Sequence, residues 1–465
     1  MTKQTITEPV CFDYIIIGFG KAGKTLASFY ADKGQTVAMI EKSAEMYGGT
    51  CINVACIPSK SLVKSSRQSK ELQLPDFAAK AAFYRQAIEE KSNLTAMLRG
   101  KNYNKLAQHP KIKVYTGKGS FISEKEIEVE TETEILRLQA EKIIINTGSL
   151  PFFPGIEGLV GNPRVYTSES LMDLTRLPER LLIIGGGRIS LEFASIYSGF
   201  GSQVTVLNRG PRLLKQEDQD IAEEITSILQ QAGIHFEFNA EAESVSYDLD
   251  QAVVTLRDAR GDRRQIRVDA VLVATGRTAN TKELNLSAAG VETSKTGAVK
   301  VDAHLRTTRE NIWAVGDVAD SPQFTYISLD DYRIVKSQFP GEISARTTEN
   351  RGYEPECLFI DPAYARVGLN EQEARQRGYE IRVKKLPVAA IPKAQLLQQP
   401  QGMLKAIVDA KNDRILGAML FCVESYELIN LVKLAMDAAL PYTMLRDRIY
   451  THPTMSEAFN DLFDI

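Results

Sequence analysis

The chain has 465 residues, of which 43% are hydrophobic and 25% are charged, as is usual for a folded globular protein. Its net charge of -3 argues against a nucleic-acid or anionic membrane surface as the main partner. Five cysteines are too few, and odd in number, for a secreted disulfide scaffold. With no long apolar run and no signal peptide, the sequence indicates a cytoplasmic protein of about three domains.

Near its start the chain carries an apolar run, residues 12–17, that ends in a glycine turn. Gly18, Gly20 and Gly23 have the spacing Gly-x-Gly-x-x-Gly, and a helix-compatible stretch and a second apolar run follow. This order predicts a dinucleotide-binding unit, in which the pyrophosphate lies at the positive end of the helix. Glu41 ends the second run, where a carboxylate can accept hydrogen bonds from a ribose.

A second copy of this pattern follows the apolar run 181–184. Gly185, Gly187 and Ser190 stand at the three turn positions, and Asn208 ends the next apolar run, where the first copy has its carboxylate. Two copies with matching spacing predict two dinucleotide-binding units in one chain. The alternative is a repeated glycine turn that binds no ligand.

The residues after the second unit bear on the choice of coenzyme. Asn208 cannot repel a 2′-phosphate, and the cations Arg209 and Arg212 can attract one. The pattern therefore favours NADPH at this site, with use of NADH as well as an open alternative. A further alternative is that both arginines are solvated surface charges.

A cysteine pair is the most informative feature of the sequence. Cys51 and Cys56 lie five positions apart, just after Gly48 and Gly49. On a regular helix that spacing gives a rise of ~7.5 Å, whereas disulfide Cα atoms lie about 5.5–6 Å apart, so a bond requires a distorted helix start. A local disulfide that opens readily indicates catalysis. The alternatives are two buried thiols, or half of a zinc site that no nearby ligand pair completes.

We expect the other cysteines, Cys11, Cys357 and Cys422, to be buried thiols.

The segment from Gly49 through Cys51 and Cys56 to Lys60 resembles the active-site signature of the flavoprotein disulfide reductases. This family includes glutathione reductase, lipoamide dehydrogenase and mercuric reductase. The resemblance covers nearly the whole chain, and further segments that match family motifs are 145–149, 273–277, 313–317 and 452–457.

The resemblance implies an α/β fold with two Rossmann-like domains, for FAD and NAD(P)H, and a C-terminal α+β dimerisation domain. It places the FAD domain at 1–155 and 279–340, the NAD(P) domain at 156–278 and the interface domain at 341–465. It also assigns further cofactor-binding residues, with Asp317 at the ribityl chain of the flavin and Gly119 at the adenine. The others are Thr50, Lys60, Thr147, Gly148, Gly316 and Thr325 for FAD, and Gly276 for the nicotinamide coenzyme.

The resemblance also implies how the cysteines work. Electrons pass from NAD(P)H through the flavin to the Cys51–Cys56 disulfide, where Cys56 is the flavin-side thiol and Cys51 exchanges with substrate. Lys60 lies one helical turn after Cys56, within reach of the flavin ring, and Glu192 pairs with it.

The C-terminal motif implies an acid and base supplied across a dimer interface. His452, held by Glu457, protonates and deprotonates the reacting groups and stabilises the thiolate of Cys51. In the family this histidine comes from the other subunit, so the resemblance implies a homodimer with shared active sites. The alternative is that His452 is only a turn residue before a proline.

Several segments narrow the resemblance. The chain lacks the C-terminal cysteine pair of mercuric reductases, and lipoamide dehydrogenases keep a glutamate where Asn208 stands. Segments 18–24, 46–49, 324–333 and 387–393 resemble the bacterial reactive-chlorine-resistance flavoproteins, which implies hypothiocyanous acid as the substrate. A general disulfide, mercury(II) or copper(II) reductase, a lipoamide-dehydrogenase-like enzyme and a non-catalytic flavin-linked redox sensor are the alternatives.

Overall fold

The structure is a computed structural model that describes residues 3–6, 8–342 and 346–465. The chain divides into two compact units, each made of three separate segments. The first unit comprises residues 1–61, 88–152 and 276–351, and the second comprises 62–87, 153–275 and 352–465. The three-domain division inferred from the sequence is finer than this one and stays a prediction.

The strands are mostly short. In chain order they are β1 (Gln4–Thr5), β2 (Val10–Ile17), β3 (Val37–Glu41), β4 (Ile112–Thr116), β5 (Lys118–Phe121), β6 (Glu126–Glu130), β7 (Glu134–Ile145), β8 (Ser149–Pro151), β9 (Val165–Thr167), β10 (Arg180–Ile184), β11 (Gln203–Asn208), β12 (His235–Phe238), β13 (Glu241–Asp248), β14 (Gln251–Arg257), β15 (Arg263–Val268), β16 (Ala270–Val273), β17 (Arg277–Ala279), β18 (Ile312–Ala314), β19 (Glu356–Leu358), β20 (Tyr364–Gly368), β21 (Ile381–Pro387), β22 (Met403–Asp409) and β23 (Ile415–Phe421).

The α-helices range from four to 31 residues. In chain order they are α1 (Lys21–Asp32), α2 (Thr50–Asn53), α3 (Cys56–Glu71), α4 (Phe77–Ala107), α5 (Ser168–Leu171), α6 (Arg188–Phe200), α7 (Gln219–Gln231), α8 (Thr325–Lys336), α9 (Glu371–Gln376), α10 (Pro392–Leu396), α11 (Ser425–Asp437), α12 (Thr443–Arg446) and α13 (Ala458–Leu462).

The first unit is built on an eight-stranded sheet. Strands β4, β3, β2 and β7 lie side by side and run parallel, with Ile15 of β2 opposite Ala38 of β3 and Ile143 of β7. All three of these side chains are fully buried, because the apolar runs of these strands are covered on both faces. The carboxyl ends of β2, β3 and β7 therefore meet at one edge, the edge at which parallel sheets bind ligands.

The second unit holds a parallel sheet and two antiparallel ones. In the parallel sheet the order is β12-β11-β10-β16-β9, and β10 is again the central strand before a glycine turn. Strands β13, β14 and β15 form an antiparallel three-stranded sheet, and β19 to β23 form an antiparallel five-stranded one. Helices α11 and α13 contribute to the apolar core of the five-stranded sheet. These sheets agree with the predicted pair of dinucleotide-binding folds followed by an α+β domain.

A buried ionic cluster lies inside the second unit. The side chain of Lys405, on β22, is 0% exposed, and its Nζ lies 2.8 Å from Asp218, 3.0 Å from Asp220 and 2.5 Å from Glu371. Burial disfavours the charged ammonium group, but these carboxylates outweigh burial and raise the pKa of Lys405. The cluster thus joins the start of α7 to β22 and α9.

Among the described residues, no helix is both long and apolar enough to span a lipid bilayer.

Candidate active site

The first glycine turn joins β2 to α1 and leaves no room for side chains. Gly18 has a φ of +101°, and a Cβ there would lie 2.3 Å from the backbone oxygen of Asn146. A Cβ on Gly20 or Gly23 would lie 2.6 or 2.7 Å from the side-chain oxygen of Asn146. The backbone at the start of α1 is therefore bare, which lets a pyrophosphate approach the amide groups.

Asn146 is the residue that holds this turn, and no role was predicted for it beyond its place in segment 145–149. Its side chain is buried, accepts a 2.8 Å hydrogen bond from the amide of Gly23, and donates a 2.9 Å bond to the carbonyl of Val315. A polar residue directly after the apolar strand β7 is the one signal that could have identified it.

Glu41 ends β3 and faces the same turn. Its carboxylate accepts a 3.0 Å hydrogen bond from the amide of Phe19, and burial raises its pKa. Gly119 lies next to the end of β3, since a Cβ there would be 3.3 Å from Ile40. The turn and the carboxylate together fit the pyrophosphate and ribose of a dinucleotide.

The cysteine pair lies at a break between two helices. Cys51 is in the single turn of α2, and Cys56 begins α3, while Val54 between them leaves the helical conformation with a φ of −137°. The chain enters α2 through Gly49, whose φ is +81° and whose Cβ would lie 2.6 Å from the Cα of Gly20. This is the distorted helix start that a bond between the two cysteines requires.

The side chains of Cys51 and Cys56, the predicted redox pair, are hydrogen-bonded to each other. The hydrogen bond between their side chains and burial raise the pKa of Cys51. The sulfur of Cys56 also lies 3.4 Å from the hydroxyl of Thr325, the first residue of α8. The two thiols are therefore within hydrogen-bonding reach of one another, and Cys56 lies near the N-terminus of α8.

Two loops from distant parts of the first unit meet beside the predicted flavin site. The hydroxyl of Thr147 donates to the carbonyl of Asn280 at 2.8 Å, and Gly148 has a φ of +71°. Asp317 accepts a 2.8 Å hydrogen bond from Ser149, and burial raises the pKa of Asp317. A buried carboxylate that one hydroxyl holds in place suits a polyol ligand.

Asp331 is a second buried carboxylate of the first unit, and no role was predicted for it from the sequence. It accepts a 2.7 Å hydrogen bond from the amide of Gly316 and pairs with Arg351 at 2.8 Å. Burial raises the pKa of Asp331 to about 6, against the opposing effect of Arg351. Asp331 thus fixes the Gly316 turn, whose φ is +71°.

The second glycine turn joins β10 to α6. A Cβ on Gly185, whose φ is +114°, would lie 2.6 Å from the carbonyl oxygen of Ala274, so only glycine fits. At Gly187 a Cβ would have no neighbour within 4 Å among the described residues. Ser190 is fully buried, and its hydroxyl donates to the same Ala274 carbonyl at 3.4 Å. Gly276, with a φ of +129°, has equally open space around its Cα.

The loop after β11 presents a different pair of cations from the one that the sequence indicated. The amide of Asn208 donates to the carbonyls of Gly210 and Arg212, both at 3.0 Å, and so shapes the loop. Arg209 is exposed, whereas Arg212 is used within the loop, where it donates to the Lys215 carbonyl at 2.8 Å. The ammonium group of Lys215 lies over Gly210, 2.9 Å from where its Cβ would be. Lys215 therefore joins Arg209 as a candidate ligand for a 2′-phosphate.

The C-terminal motif brings its histidine and carboxylate together. His452 Nδ1 lies 2.7 Å from a Glu457 oxygen, and the other oxygen of Glu457 accepts a 2.6 Å hydrogen bond from the amide of Thr454. These bonds lower the pKa of Glu457, which keeps it an anion beside the ring. The His452 side chain is 70% exposed and therefore open to a partner surface.

For the remaining predicted residues the structure shows a position but does not test a role. Thr50 begins α2, and Lys60 is half-buried on α3. Glu192, on α6, accepts a 2.9 Å hydrogen bond from the amide of Phe359. Pairing of Lys60 with Glu192 stays a prediction.

The three other cysteines were expected to be buried, which is right only for Cys422. Cys357 is half-buried and Cys11 is exposed, because Cys11 lies in the solvent-facing first half of β2. Within the described part of the chain, no three His, Cys, Asp or Glu side chains are grouped as a metal site.

Comparison with known proteins gives matches along most of the chain. Residues 12–331 match the family described as pyridine nucleotide-disulphide oxidoreductase, and residues 354–463 match its dimerisation domain. The chain is 46% identical to the probable pyridine nucleotide-disulfide oxidoreductase RclA of Escherichia coli (strain K12), over 98% of this chain and 99% of that protein. It is 33% identical to the mercuric reductase of Bacillus cereus, over 96% of this chain and 70% of that protein.

A solved structure gives a similar result. It is described as the Cu(II) complex of HOCl-induced flavoprotein disulfide reductase RclA from Escherichia coli. This chain matches it with a TM-score of 0.92 and 46% identity, over 98% of this chain and 99% of that one.

Proposed function

Because the chain belongs to the pyridine nucleotide-disulphide oxidoreductase family, we propose that it carries electron pairs from NADPH, through FAD and the Cys51–Cys56 pair, to hypothiocyanous acid. The observation that carries the proposal is the pair itself, two thiols in contact across a helix break. A pair of this kind stores two electrons as two thiols and releases them when it closes to a disulfide.

The matches confirm the predicted fold class, two Rossmann-like domains and a dimerisation domain, and the predicted class of enzyme. The chain is a flavin-dependent disulfide oxidoreductase that uses a nicotinamide coenzyme, and it resembles the reactive-chlorine-resistance flavoproteins as expected.

FAD suits the residues of the first unit. The bare turn at Gly18 would accept its pyrophosphate and Glu41 its ribose, while Asp317 would bind the ribityl chain. When bound, FAD supplies the two-electron link between the nicotinamide coenzyme and the disulfide. The chain's own part would be to hold that group and to keep Cys56 against Thr325, at the start of α8.

The reduced cysteines would then carry out the reaction with the oxidant. The Cys51 thiolate attacks the sulfur of hypothiocyanous acid and breaks its S–O bond, and the hydroxide leaves as water with a proton from His452. Cys56, as a thiolate, attacks the sulfur of Cys51, releases thiocyanate and closes the disulfide. The two electrons of the thiol pair thus appear in thiocyanate and water.

Two features support a small oxidant as the substrate. One similar protein is described as HOCl-induced, which fits a role in defence against oxidants derived from chlorine. Cys51 is partly buried in the tight turn that follows Gly49, where a small electrophile needs little room. Hypothiocyanous acid combines small size with an electrophilic sulfur.

The loop after β11 supports NADPH as the reductant. Asn208 brings no negative charge, and Arg209 and Lys215 bring two positive ones to its side. A 2′-phosphate would be bound by these cations, whereas the free hydroxyl of NADH would gain nothing from them.

The dimerisation domain and the exposed His452 support a homodimer, in which each subunit would supply His452 to the other. The position of Glu457 against His452 would fix the ring and leave Nε2 free to exchange protons. We place the homodimer in the cytoplasm, where reduced nicotinamide coenzymes and reduced thiols are abundant.

Stopped-flow spectroscopy tests the proposal. The purified protein is reduced anaerobically with NADPH or NADH, then mixed with hypothiocyanous acid, and flavin absorbance is followed. We expect rapid reoxidation by the wild type and at least ~100-fold slower turnover with Cys51→Ser. Cys11→Ser, which changes an exposed cysteine of β2, serves as the matched control and should behave as wild type. Full turnover by Cys51→Ser would exclude the exchange role.

Reduction of Cu(II) is a second candidate, because one similar structure is described as a Cu(II) complex. In the same apparatus, Cu(II) replaces hypothiocyanous acid as the oxidant. The candidate that reoxidises the reduced enzyme at the higher second-order rate, and loses that rate in Cys51→Ser, is the preferred substrate.

A further inference from the structure

We propose that Lys24 is a positioning residue for Cys51: its ammonium group clamps the turn before α2 and its charge favours the Cys51 thiolate. Lys24 follows the last glycine of the first turn, and no catalytic or binding role was predicted for it from the sequence. The inference rests on the proposed exchange role of Cys51, which it deepens.

The clamp joins three elements of the first unit. Lys24 lies in the first turn of α1, and its Nζ donates to the carbonyl of Gly48 at 3.1 Å and to the side-chain oxygen of Asn102 on α4 at 2.7 Å. Asn102 is itself fixed, since its amide donates to the Leu98 carbonyl at 2.7 Å. The ammonium group thus has two defined acceptors, which hold it beside the segment that leads into α2.

Gly48 connects the hydrogen bond of Lys24 to the helix that carries Cys51. It has a φ of +98°, and a Cβ there would lie 3.1 Å from Ile52, the residue after Cys51. The Gly48 turn therefore packs directly on the single helical turn that carries Cys51. A shift of the Gly48 carbonyl would move α2 with it, because Gly48 packs closely on Ile52 of that helix.

Among the described residues, the ammonium group of Lys24 donates its hydrogen bonds to two neutral oxygens and to no carboxylate. Burial and the nearby cation Lys21 lower the pKa of Lys24 to about 8, Cys51 opposes them, and Lys105 adds to them. Cys56 and burial raise the pKa of Cys51, and the hydroxyl of Thr325 and the charge of Lys24 act against them. The field of the ammonium group is therefore available to a thiolate at Cys51.

The effect has a definite pH range. Lys24 is charged below its pKa of about 8 and loses its proton above it, so its support of the thiolate is present at neutral pH and fades in alkali. A variant without the charge should differ most from wild type near neutrality.

Alkylation of Cys51 measures this directly. In the FAD-loaded Cys56→Ser background, where Cys51 is the remaining thiol of the pair, the rate of iodoacetamide modification is determined by peptide mass spectrometry between about pH 6 and pH 10. We expect Lys24→Met to slow the reaction roughly 3–10-fold near neutrality and to move its pH midpoint up by about 0.5–1 unit. Flavin absorbance reports in each case whether the cofactor is retained.

Matched variants separate charge from clamp. Lys24→Arg keeps the charge and should keep most of the wild-type rate, whereas Lys24→Gln keeps a donor for Gly48 without the charge and should resemble Lys24→Met. Lys101→Met removes an exposed cation on α4 and should leave the Cys51 profile unchanged.

The outcomes are distinct. A raised midpoint in both uncharged variants, with Lys24→Arg close to wild type, supports the proposal. An unchanged midpoint overturns it, even where activity is lost, since that pattern indicates only support of the turn or of FAD. Should Lys24→Met fail to fold, Lys24→Gln decides in the same way. Because alkylation needs no oxidant, failure of this proposal is separate from failure of hypothiocyanous acid as the substrate.

Discussion

The two glycine turns of this chain share a spacing but differ in how much space they leave. In the first, Gly20 and Gly23 both face the side chain of Asn146, at the end of β7. In the second, Ala274 stands at the end of the corresponding strand β16, and the surroundings of Gly187 are open. At the second glycine of each motif, the first turn is filled by the protein itself, whereas the second is open, although Asn208 approaches the neighbouring Gly186.

This difference fits two kinds of cofactor use. A group that stays bound through every cycle is best served by a loop that has one rigid shape, because preorganisation lowers the entropic cost of holding it. A coenzyme that enters and leaves each time needs access more than rigidity. Identical motifs can thus serve a resident and an exchanging dinucleotide, and the residue at the end of the neighbouring strand distinguishes them.

The largest expected effect comes from adding one methyl group to each turn. Gly18→Ala would place its Cβ 2.3 Å from a backbone oxygen at a positive φ, so we expect loss of FAD and a cost above ~3 kcal/mol in unfolding free energy. Gly187→Ala meets nothing within 4 Å among the described residues outside its own chain neighbours, so it should keep FAD and stability but raise KM for the nicotinamide coenzyme. Flavin content, thermal unfolding and steady-state kinetics measure both.

Equal loss of FAD in the two variants would contradict the contrast between the turns. Retention of FAD by Gly18→Ala would show that the first turn is less rigid than its contacts indicate.

Removing the amide that fills the first turn should have the next largest effect. Asn146→Leu keeps the volume but leaves the amide of Gly23 and the carbonyl of Val315 without their partner, at a cost of about 2–4 kcal/mol. Urea-induced release of flavin fluorescence gives this value. A change below ~0.5 kcal/mol would show that Asn146 does not hold the turn.

A smaller effect is expected at the second turn, where Lys215 lies over Gly210. Lys215→Ala should lower kcat/KM for NADPH about 3–10-fold and leave that for NADH unchanged, because only NADPH carries the 2′-phosphate. Lys411→Ala, another exposed lysine of the second unit, is the matched control. Equal losses with both coenzymes would assign Lys215 to the shape of the loop.

The smallest effect concerns the pH dependence of stability at the Gly316 turn, which Asp331 holds. Asp331 keeps its proton up to about pH 6 when folded, but only to about 3.8 when unfolded, so unfolding releases a proton between these values. Stability contributed by this group therefore falls as pH rises from about 4 to 6, by an amount on the order of 1 kcal/mol. Asp331→Asn should flatten this fall in a series of melting temperatures, and an unchanged slope would contradict the assignment.

Features encoded by local spacing were accessible from the sequence. Both glycine turns, the carboxylate Glu41, the helix break between Cys51 and Cys56 and the contact of His452 with Glu457 follow from residues close together in the chain. The structure places all of these as expected, while the roles of the site residues stay predictions.

Features that depend on distant segments were not accessible. Asn146 reaches Val315, Asp331 reaches Gly316, and Lys24 reaches Asn102, so each acts through a partner that the fold alone supplies. Arg212 is a case in which the sequence predicted a contact with a ligand and the fold supplies a contact within the protein. Its charge indicated a ligand site, but its guanidinium group is used by the carbonyls of its own loop.

The buried Lys405 restricts how the second unit can change over generations. Its loss would remove the buried ammonium group that Asp218, Asp220 and Glu371 share, and leave Asp220 paired with Lys385 and Glu371 with Arg375. Replacement of the lysine as a first step therefore meets a barrier, and an apolar alternative requires simultaneous replacement of its partners. We expect this lysine to stay invariant in laboratory evolution that admits one substitution at a time.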